Sequence, residues 1–473
     1  MLARLRLFHP PPRLPPPRLP TFTMATHTKA DLSPPLLRGM KELDRAAFQK
    51  TIPIVAARFP APMSEAVRSS PAIRKASIYV RSPLERVGDD RLILLDAPNE
   101  DALPQETKDY CKEHSISIEP YGLHLDYDHW NVEEILHSIM PEDLESPSSF
   151  TCVGHMAHLN LRDEFLPWKH IIGQVILDKN HRIRTVVNKT DTISQNIYRV
   201  FPMEILAGEP TTMVTHKESG CSFIFDLAEV YWNSRLSHEH ERILNQFKPE
   251  DVVADIFAGV GPFALPAAKK GCAVLANDLN PNSYKSLRLN IENNRVSELV
   301  RPSCMDGRDF IRDVFNRCYD EPMPPVPPPK LSRVEKREAR KKRAERDLPP
   351  APDARREAAR RTRITHVVMN LPETAIDFLN EFNGVLGPVK AQGRGLSGIY
   401  DSPENMPMIH CYCFTKILDY EAATVEIRQR VEAALGGKLE GDVESVAVRR
   451  VAPHKDMYCL SFRLPYKVAY GGT

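Results

Sequence analysis

Four short apolar runs in the second half of the chain each end near a polar residue able to grip a ligand. "DVVADIF" carries Asp255, the next run ends in "AND" at Asp278, "MDGRDF" carries Asp306, and "ITHVVMN" ends on Asn370. Between the first two lies the turn "AGVGPF", which supplies Gly259 and Gly261. Glycine at both positions permits positive φ and lets a ligand approach the backbone closely. Asp278 follows Gly261 by 17 residues, a spacing that places a carboxylate where it accepts from a ribose diol. The pattern predicts a nucleoside site.

Enzymes of NAD and of S-adenosylmethionine share such a turn. Here the last glycine of a full GxGxxG is replaced by Ala264. S-adenosylmethionine has no pyrophosphate to cradle and does not need that glycine, and the acid at the end of the first strand favours it further. Asp306 is then placed to contact the adenine amino group. Capping of helices is the competing use of Asp and Asn, but three acids in register at successive strand ends exceed it. The tetrad Asn370-Leu371-Pro372-Glu373 lacks the aromatic that stacks on a flipped base in amino-methylating enzymes, which disfavours an exocyclic amine as acceptor. No Pro-Cys pair is present for the covalent adduct of 5-methylcytosine formation. A ring nitrogen remains, or a different transfer from the same cofactor.

The elements that hold these residues alternate. Strands are predicted over 251–257, 272–278 and near 299–304, with helices at 282–294 and 307–318. A strand in "ITHVVMN", a helix in "TAIDFLNEF", a strand in "MIHCYCFT", a helix at 419–435 and a closing hairpin of "ESVAVRRVAP" and "MYCLSFRLP" follow. Such βα alternation predicts an α/β fold with a doubly wound, largely parallel sheet, its ligand outside the carboxyl ends of the strands. This domain is placed at 236–473. Two small α+β domains are expected before it, at 31–120 and 121–235. "LLRGMKELDRAAF" reads as an amphipathic helix and "RLILLDAP" as a strand. "NVEEILHSIM" reads as a helix in the second domain, and "HIIGQVILDKNHRIRTVVNK" as a hairpin turning at "LDKNH".

Hydrophobic content of 42% and charged content of 26% are those of an ordinary globular protein, and no apolar run is long enough to span a membrane. Nine cysteines lie scattered without CxxC pairs, so no metal site is expected; Cys411 and Cys413 read as core. The net charge of +1 hides an asymmetry. Residues 1–30 hold five basic residues and no acid, the composition of a mitochondrial presequence, expected to be disordered, and Met24 offers a second start. Residues 321–363 hold 14 basic and 7 acidic residues and no apolar stripe, which predicts a disordered basic insertion without core contacts. The remaining residues are net acidic, so nucleic-acid binding cannot rest on overall charge.

"GHMAHLNLR" (154–162), "NIYRVFPMEILAGE" (196–209), "FDLAEVYWNSRLSHEHERI" (225–243), "DIFAGVGPF", "NDLNP" and "NLP" occur in this order. Together they resemble the archaeal and eukaryotic family of tRNA guanine-N1 methyltransferases acting at position 37, next to the anticodon. The likeness spans roughly residues 36–473 apart from the insertion. It implies a class I S-adenosylmethionine-dependent methyltransferase domain, a tRNA carrying guanosine at position 37 as partner, and no membrane. It also implies a role for Arg199 in steadying the base, for Glu239 as general base, and for Asn370 with Pro372 in positioning the guanine. Cofactor contacts are implied for His238, Asp278, Leu279, Asp306, Gly307 and Asn370, beside Asp255, Gly259 and Gly261 from the turn itself. Glu373 departs from the small residue usual after NLP. The chain is expected to act as a monomer in the mitochondrial matrix, with cytoplasmic and nuclear forms. Three other readings stay open: an aminocarboxypropyl transferase of wybutosine synthesis, an NAD-dependent oxidoreductase, and a non-catalytic tRNA-binding protein.

Overall fold

The computed structural model describes residues 29–80, 82–190, 197–327, 337–338 and 359–471. The leader to residue 28 and most of the basic insertion lie outside the described residues. Two compact units divide between Ser146 and Pro147. Among the described residues no helix is long and apolar enough to cross a membrane.

The first unit holds a four-stranded antiparallel sheet in the order Leu84–Val87, Asp90–Leu95, Lys50–Pro60, Ser117–Leu125. Val55, Ala57 and Phe59 alternate onto one face and bury against Ile73, Ile93 and Leu95. The expected boundary at 120/121 falls inside the last strand, which pairs with Lys50–Pro60 from Ser117 to Leu125. The Val132–Ile139 helix, closed by an Asn131–Glu134 capping box, therefore belongs to this unit and not to the next. "LLRGMKELDRAAF" forms one 3-10 turn, Arg45–Ala47, in place of a helix. Gly39 turns the chain at φ +82°, and the Asp44 side chain accepts from the Ala46 amide.

The second unit opens with a sheet ordered Thr151–Val153, Met156–Leu159, Thr185–Lys189, Met203–Gly208. The predicted hairpin at "LDKNH" is instead the helix Lys169–Lys179 followed by a strand. Ile171, Ile172, Val175 and Ile176 recur at helical spacing. Met156–Leu159 and Thr185–Lys189 also run parallel, which requires a crossover that only the helix supplies. A true hairpin joins Met213–Glu218 to Cys221–Asp226 through Ser219 and Gly220, both at positive φ, as a two-residue turn of matched twist demands.

The large sheet runs in spatial order Val300–Ser303, Ala273–Asn277, Val252–Asp255, His366–Met369, Met408–Thr415, Lys455–Arg463, Val443–Ala452. Every pairing is parallel except those of Lys455–Arg463 with its two neighbours. The order reverses between Val252–Asp255 and His366–Met369, which makes a crevice at their carboxyl ends. Val153, Met156, Val187, Phe223 and Phe225 share one core with Val253, Val274 and Val368, so the strands before residue 235 are continuous with this domain rather than separate from it.

The basic insertion is not coreless at its roots. Met323 is fully buried and bridges Arg361. The Arg361 guanidinium donates to the carbonyls of Pro324 (2.7 Å), Pro249 (2.9 Å), Asp251 (3.2 Å) and Gly271 (3.1 Å). A charge run masks one arginine that serves as a buried hub of backbone carbonyls.

Candidate active site

The glycine turn is built from its own backbone. The Gly261 N–H donates to Ala258 O at 2.8 Å, and Gly261 holds φ +101°, where a Cβ would lie 2.1 Å from Leu265 Cδ1. Gly259, at φ +54°, faces open space. Its N–H donates to Asp278 Oδ2 at 2.8 Å, and the Asn280 N–H donates to Oδ1 at 2.9 Å. The predicted ribose acid is thus fixed by the turn it was meant to serve, and burial raises its pKa against the pull of those two amides.

Asp255 is fully buried and neither carboxylate oxygen has a hydrogen-bond partner among the described residues. Burial, reinforced by the Asp278 charge, pushes its pKa well above the carboxylate range; the Phe257 amide offsets only part of this without a hydrogen bond of ordinary geometry. A buried acid left without a donor is costly unless a ligand completes it. The ammonium and sulfonium of S-adenosylmethionine are cations of the kind such an acid recruits, so the pocket fits that cofactor.

Asn277 escaped sequence reasoning. Fully buried, it donates to Ile256 O (3.2 Å) and Met305 O (3.0 Å) and accepts from the Met305 N–H (3.1 Å), lacing together three strand ends. Its only sequence signal is its place before Asp278. Asp306 caps the helix Gly307–Asp320 by accepting from the Arg308 N–H at 2.7 Å, and remains half-exposed. A Cβ on Gly307 would stand 2.8 Å from the Phe257 ring, so the turn into this helix leaves no room for a side chain.

Asn370 follows the His366–Met369 strand, half-buried, with no side-chain hydrogen bond among the described residues. Pro372 O accepts from the Phe414 N–H at 3.1 Å, which anchors the loop to the next strand. Lys455 donates to Glu373 at 2.7 Å and covers the Phe414 ring at 4.3 Å. That bond holds the Glu373 carboxyl below its ordinary value, and the charge of Arg199 adds to the lowering. Arg199 adopts φ +58°, uncommon for a residue with a Cβ. It makes no ion pair or hydrogen bond among the described residues.

Glu239 is buried to 8% exposure in the helix Ser237–Gln246. Arg242 grips it twice, Nε to Oε2 and Nη2 to Oε1, both at 2.7 Å, and the Tyr412 hydroxyl donates to Oε1 at 2.7 Å. Tyr412 neighbours Phe263 of the glycine turn, ring centroids 6.1 Å apart, which ties this helix to the cofactor loop. No hydrogen bond or ion pair joins Glu239 to Arg199. His238 and Leu279, both expected at the cofactor, are exposed.

Residues 214–319 match the TRM5/TYW2 methyltransferase domain, and residues 132–211 the TYW2 N-terminal domain. A curated tRNA (guanine(37)-N(1))-methyltransferase of Coprinopsis cinerea is 47% identical over 458 residues, covering 94% of this chain and 98% of that protein. The chain belongs to the tRNA (guanine(37)-N(1))-methyltransferase family. The Saccharomyces cerevisiae member is 39% identical over 92% of this chain and 95% of its own length. The crystal structure of Trm5b from Pyrococcus abyssi shares the fold, with TM-score 0.55 at 23% identity, covering 87% of this chain and 99% of that one. The domain is the doubly wound α/β sheet that the strand alternation predicted and the class I methyltransferase fold that the resemblance implied.

Proposed function

We propose that this chain methylates N1 of guanosine 37 in tRNA with S-adenosylmethionine as methyl donor. The observation that carries the reading is similarity over nearly the whole chain to a family of that activity, with the buried Asp255 carboxyl at the crevice left without a hydrogen-bond partner among the described residues. When bound, the cofactor supplies an electrophilic methyl on a sulfonium. Asp255, Gly259 and Asp278 would hold it, with Asp306 and Gly307 at the adenine end.

Guanine N1 carries a proton at neutral pH and attacks poorly until it leaves. A carboxylate has about four lone-pair sites. Arg242 takes one on each oxygen of Glu239 and Tyr412 takes the second on Oε1, so Oε2 keeps one directed acceptor for the N1 proton. Arg242 and Tyr412 fix the orientation of that acceptor. As N1 loses its proton, charge grows on O6, and the Arg199 guanidinium, without a partner among the described residues, is suited to donate there. Asn370 offers an unoccupied amide to orient the base, with Pro372 shaping the loop beside it. The base must leave its stack to reach this crevice.

The test is to incubate the protein with labelled S-adenosylmethionine and transcripts carrying guanosine or adenosine at position 37, then map the label. Label on the base of the guanosine transcript alone supports the reading; label elsewhere, or an aminocarboxypropyl product, ends it. Action as a monomer is proposed with it, to be checked by sedimentation equilibrium. The acid-free leader and Met24 support a mitochondrial form beside cytoplasmic and nuclear ones. Identical distributions of tagged full-length and Met24-initiated protein would refute that targeting.

A further inference from the structure

Three basic side chains gather on the sheet that opens the second unit, His158 and Lys189 on its two central strands and Arg235 against its edge strand. His158 pairs with Val187, and Lys189 follows two residues later, so both stand on one face. The Lys189 ammonium sits 4.0 Å over the Phe201 ring. Thr151 pairs with His158, and Arg235 donates to Thr151 Oγ1 at 3.4 Å. None of the three has a carboxylate partner among the described residues. Burial, then the charges of Lys189 and Arg235, pushes His158 down to about 4, and burial with Arg235 lowers Lys189. Gathering like charges in a half-buried place without a counter-ion is unfavourable unless an anion completes the cluster.

The chain places this cluster beside the proposed chemistry. Phe201, under Lys189, lies two residues after Arg199, and Arg235 lies four residues before Glu239. We propose that His158, Lys189 and Arg235 seat the backbone phosphate next to the target guanosine and so hold the nucleotide splayed out toward Glu239. This rests on the reading of the chain as a guanosine-37 methyltransferase. Lys189 and Arg235 would give charge-assisted hydrogen bonds, and a neutral His158 would donate a third. The Phe201 ring, stacked against the Lys189 ammonium, holds it in place in the absence of RNA.

The test uses tRNA in which the linkage on one side or the other of guanosine 37 is a neutral methylphosphonate. Wild-type protein should lose about tenfold in affinity on one of the two neutral linkages, the size of a lost charge-assisted contact. Lys189→Met and Arg235→Gln should lose a similar factor on natural tRNA, lose no more on that linkage, and lower the slope of log affinity against log salt by about one each. Affinity for S-adenosylmethionine should stay unchanged and reports intact folding. Arg235 is exposed, so its variant decides the matter should Lys189→Met fold poorly. A variant that keeps wild-type affinity, or that still loses tenfold on the neutral linkage, overturns the proposal. Wild-type protein that senses the linkage but does not methylate guanosine 37 would instead overturn the reading of function and leave the phosphate seat standing.

Discussion

The Tyr412 hydroxyl donates to Glu239 Oε1 at 2.7 Å, joining residues 173 positions apart. With Arg242 donating to both of its oxygens, Glu239 is held as a fixed acceptor, and in the proposed mechanism the second acceptor site of Oε2 receives the N1 proton. Glu239→Gln should slow single-turnover methyl transfer by at least about 10²-fold, the low end for a general base. Affinity for S-adenosylmethionine should hardly change. Tyr412→Phe removes one orienting bond but no proton acceptor, so it should cost about 1 kcal/mol of stability and less than tenfold in rate. Stopped reactions at saturating tRNA separate the two; equal rates for Glu239→Gln and wild type would remove the base from the mechanism.

The large sheet was legible because βα alternation, glycine punctuation and strand-end acids are local signals. The partners of Glu239 were not, because they come from two stretches of chain with no common pattern: Arg242 lies one helical turn on, and Tyr412 sits inside a run that reads as pure core. The helix Lys169–Lys179 was missed because a short polar "LDKNH" mimics a hairpin turn, and only the parallel pairing on either side of it excludes that. Arg361 was hidden for the opposite reason: thirteen other basic residues of the insertion surround it in sequence, and nothing local marks the one that is buried.

Burial raises the Asp255 pKa, and its carboxyl has no hydrogen-bond partner among the described residues, so unliganded protein carries an uncompensated acid. A carboxyl whose folded pKa lies above its unfolded value binds more protons when folded, so its contribution falls as pH rises between the two. Asp255→Asn removes that penalty. Its unliganded melting temperature at pH 7 should equal or exceed that of wild type, while affinity for S-adenosylmethionine should drop by tenfold or more, since a charge-assisted contact is lost. A variant that melts lower and binds the cofactor normally would show Asp255 to be structural.

Arg361→Met should destabilise strongly. Four backbone carbonyls lose a donor at once, of which Asp251 O keeps the Ala273 N–H at 3.0 Å, and a cost of about 2–4 kcal/mol is expected from the buried acceptors left unsatisfied. Arg360→Met, on an exposed neighbour, should stay within about 0.5 kcal/mol of wild type. Urea unfolding of the two variants checks the contrast, and equal midpoints would deny Arg361 its role as a hub.

The last expectation concerns acid. His410 Nε2 meets His366 Nδ1 at 3.1 Å, His410 Nδ1 meets Ser461 Oγ at 2.9 Å, and His366 Nε2 faces Asp251 at 3.5 Å. One proton order satisfies all of them: Ser461 donates to His410, His410 to His366, and His366 to the Asp251 carboxylate. That chain needs His410 neutral. Burial, then the His366 charge, lowers the His410 pKa well below its ordinary value, so the unfolded chain binds a proton that the native one refuses. Stability is therefore fully present above the unfolded value of about 6.5 and declines as pH falls below it, by about 1.4 kcal/mol per pH unit for one proton. Asp251 shifts the same way at lower pH. Burial alone would raise it, but the His366 contact and the Lys248 amide outweigh that and lower it, so its contribution is lost below about 4. His158, also lowered by burial, adds to the total decline, so the decisive comparison is a difference. His410→Gln should be less stable than wild type at pH 7.5, yet its urea midpoint should fall less steeply between pH 6.5 and 5, because the group that refused the proton is gone. Parallel declines in the two proteins would mean that His410 takes no part in the acid sensitivity.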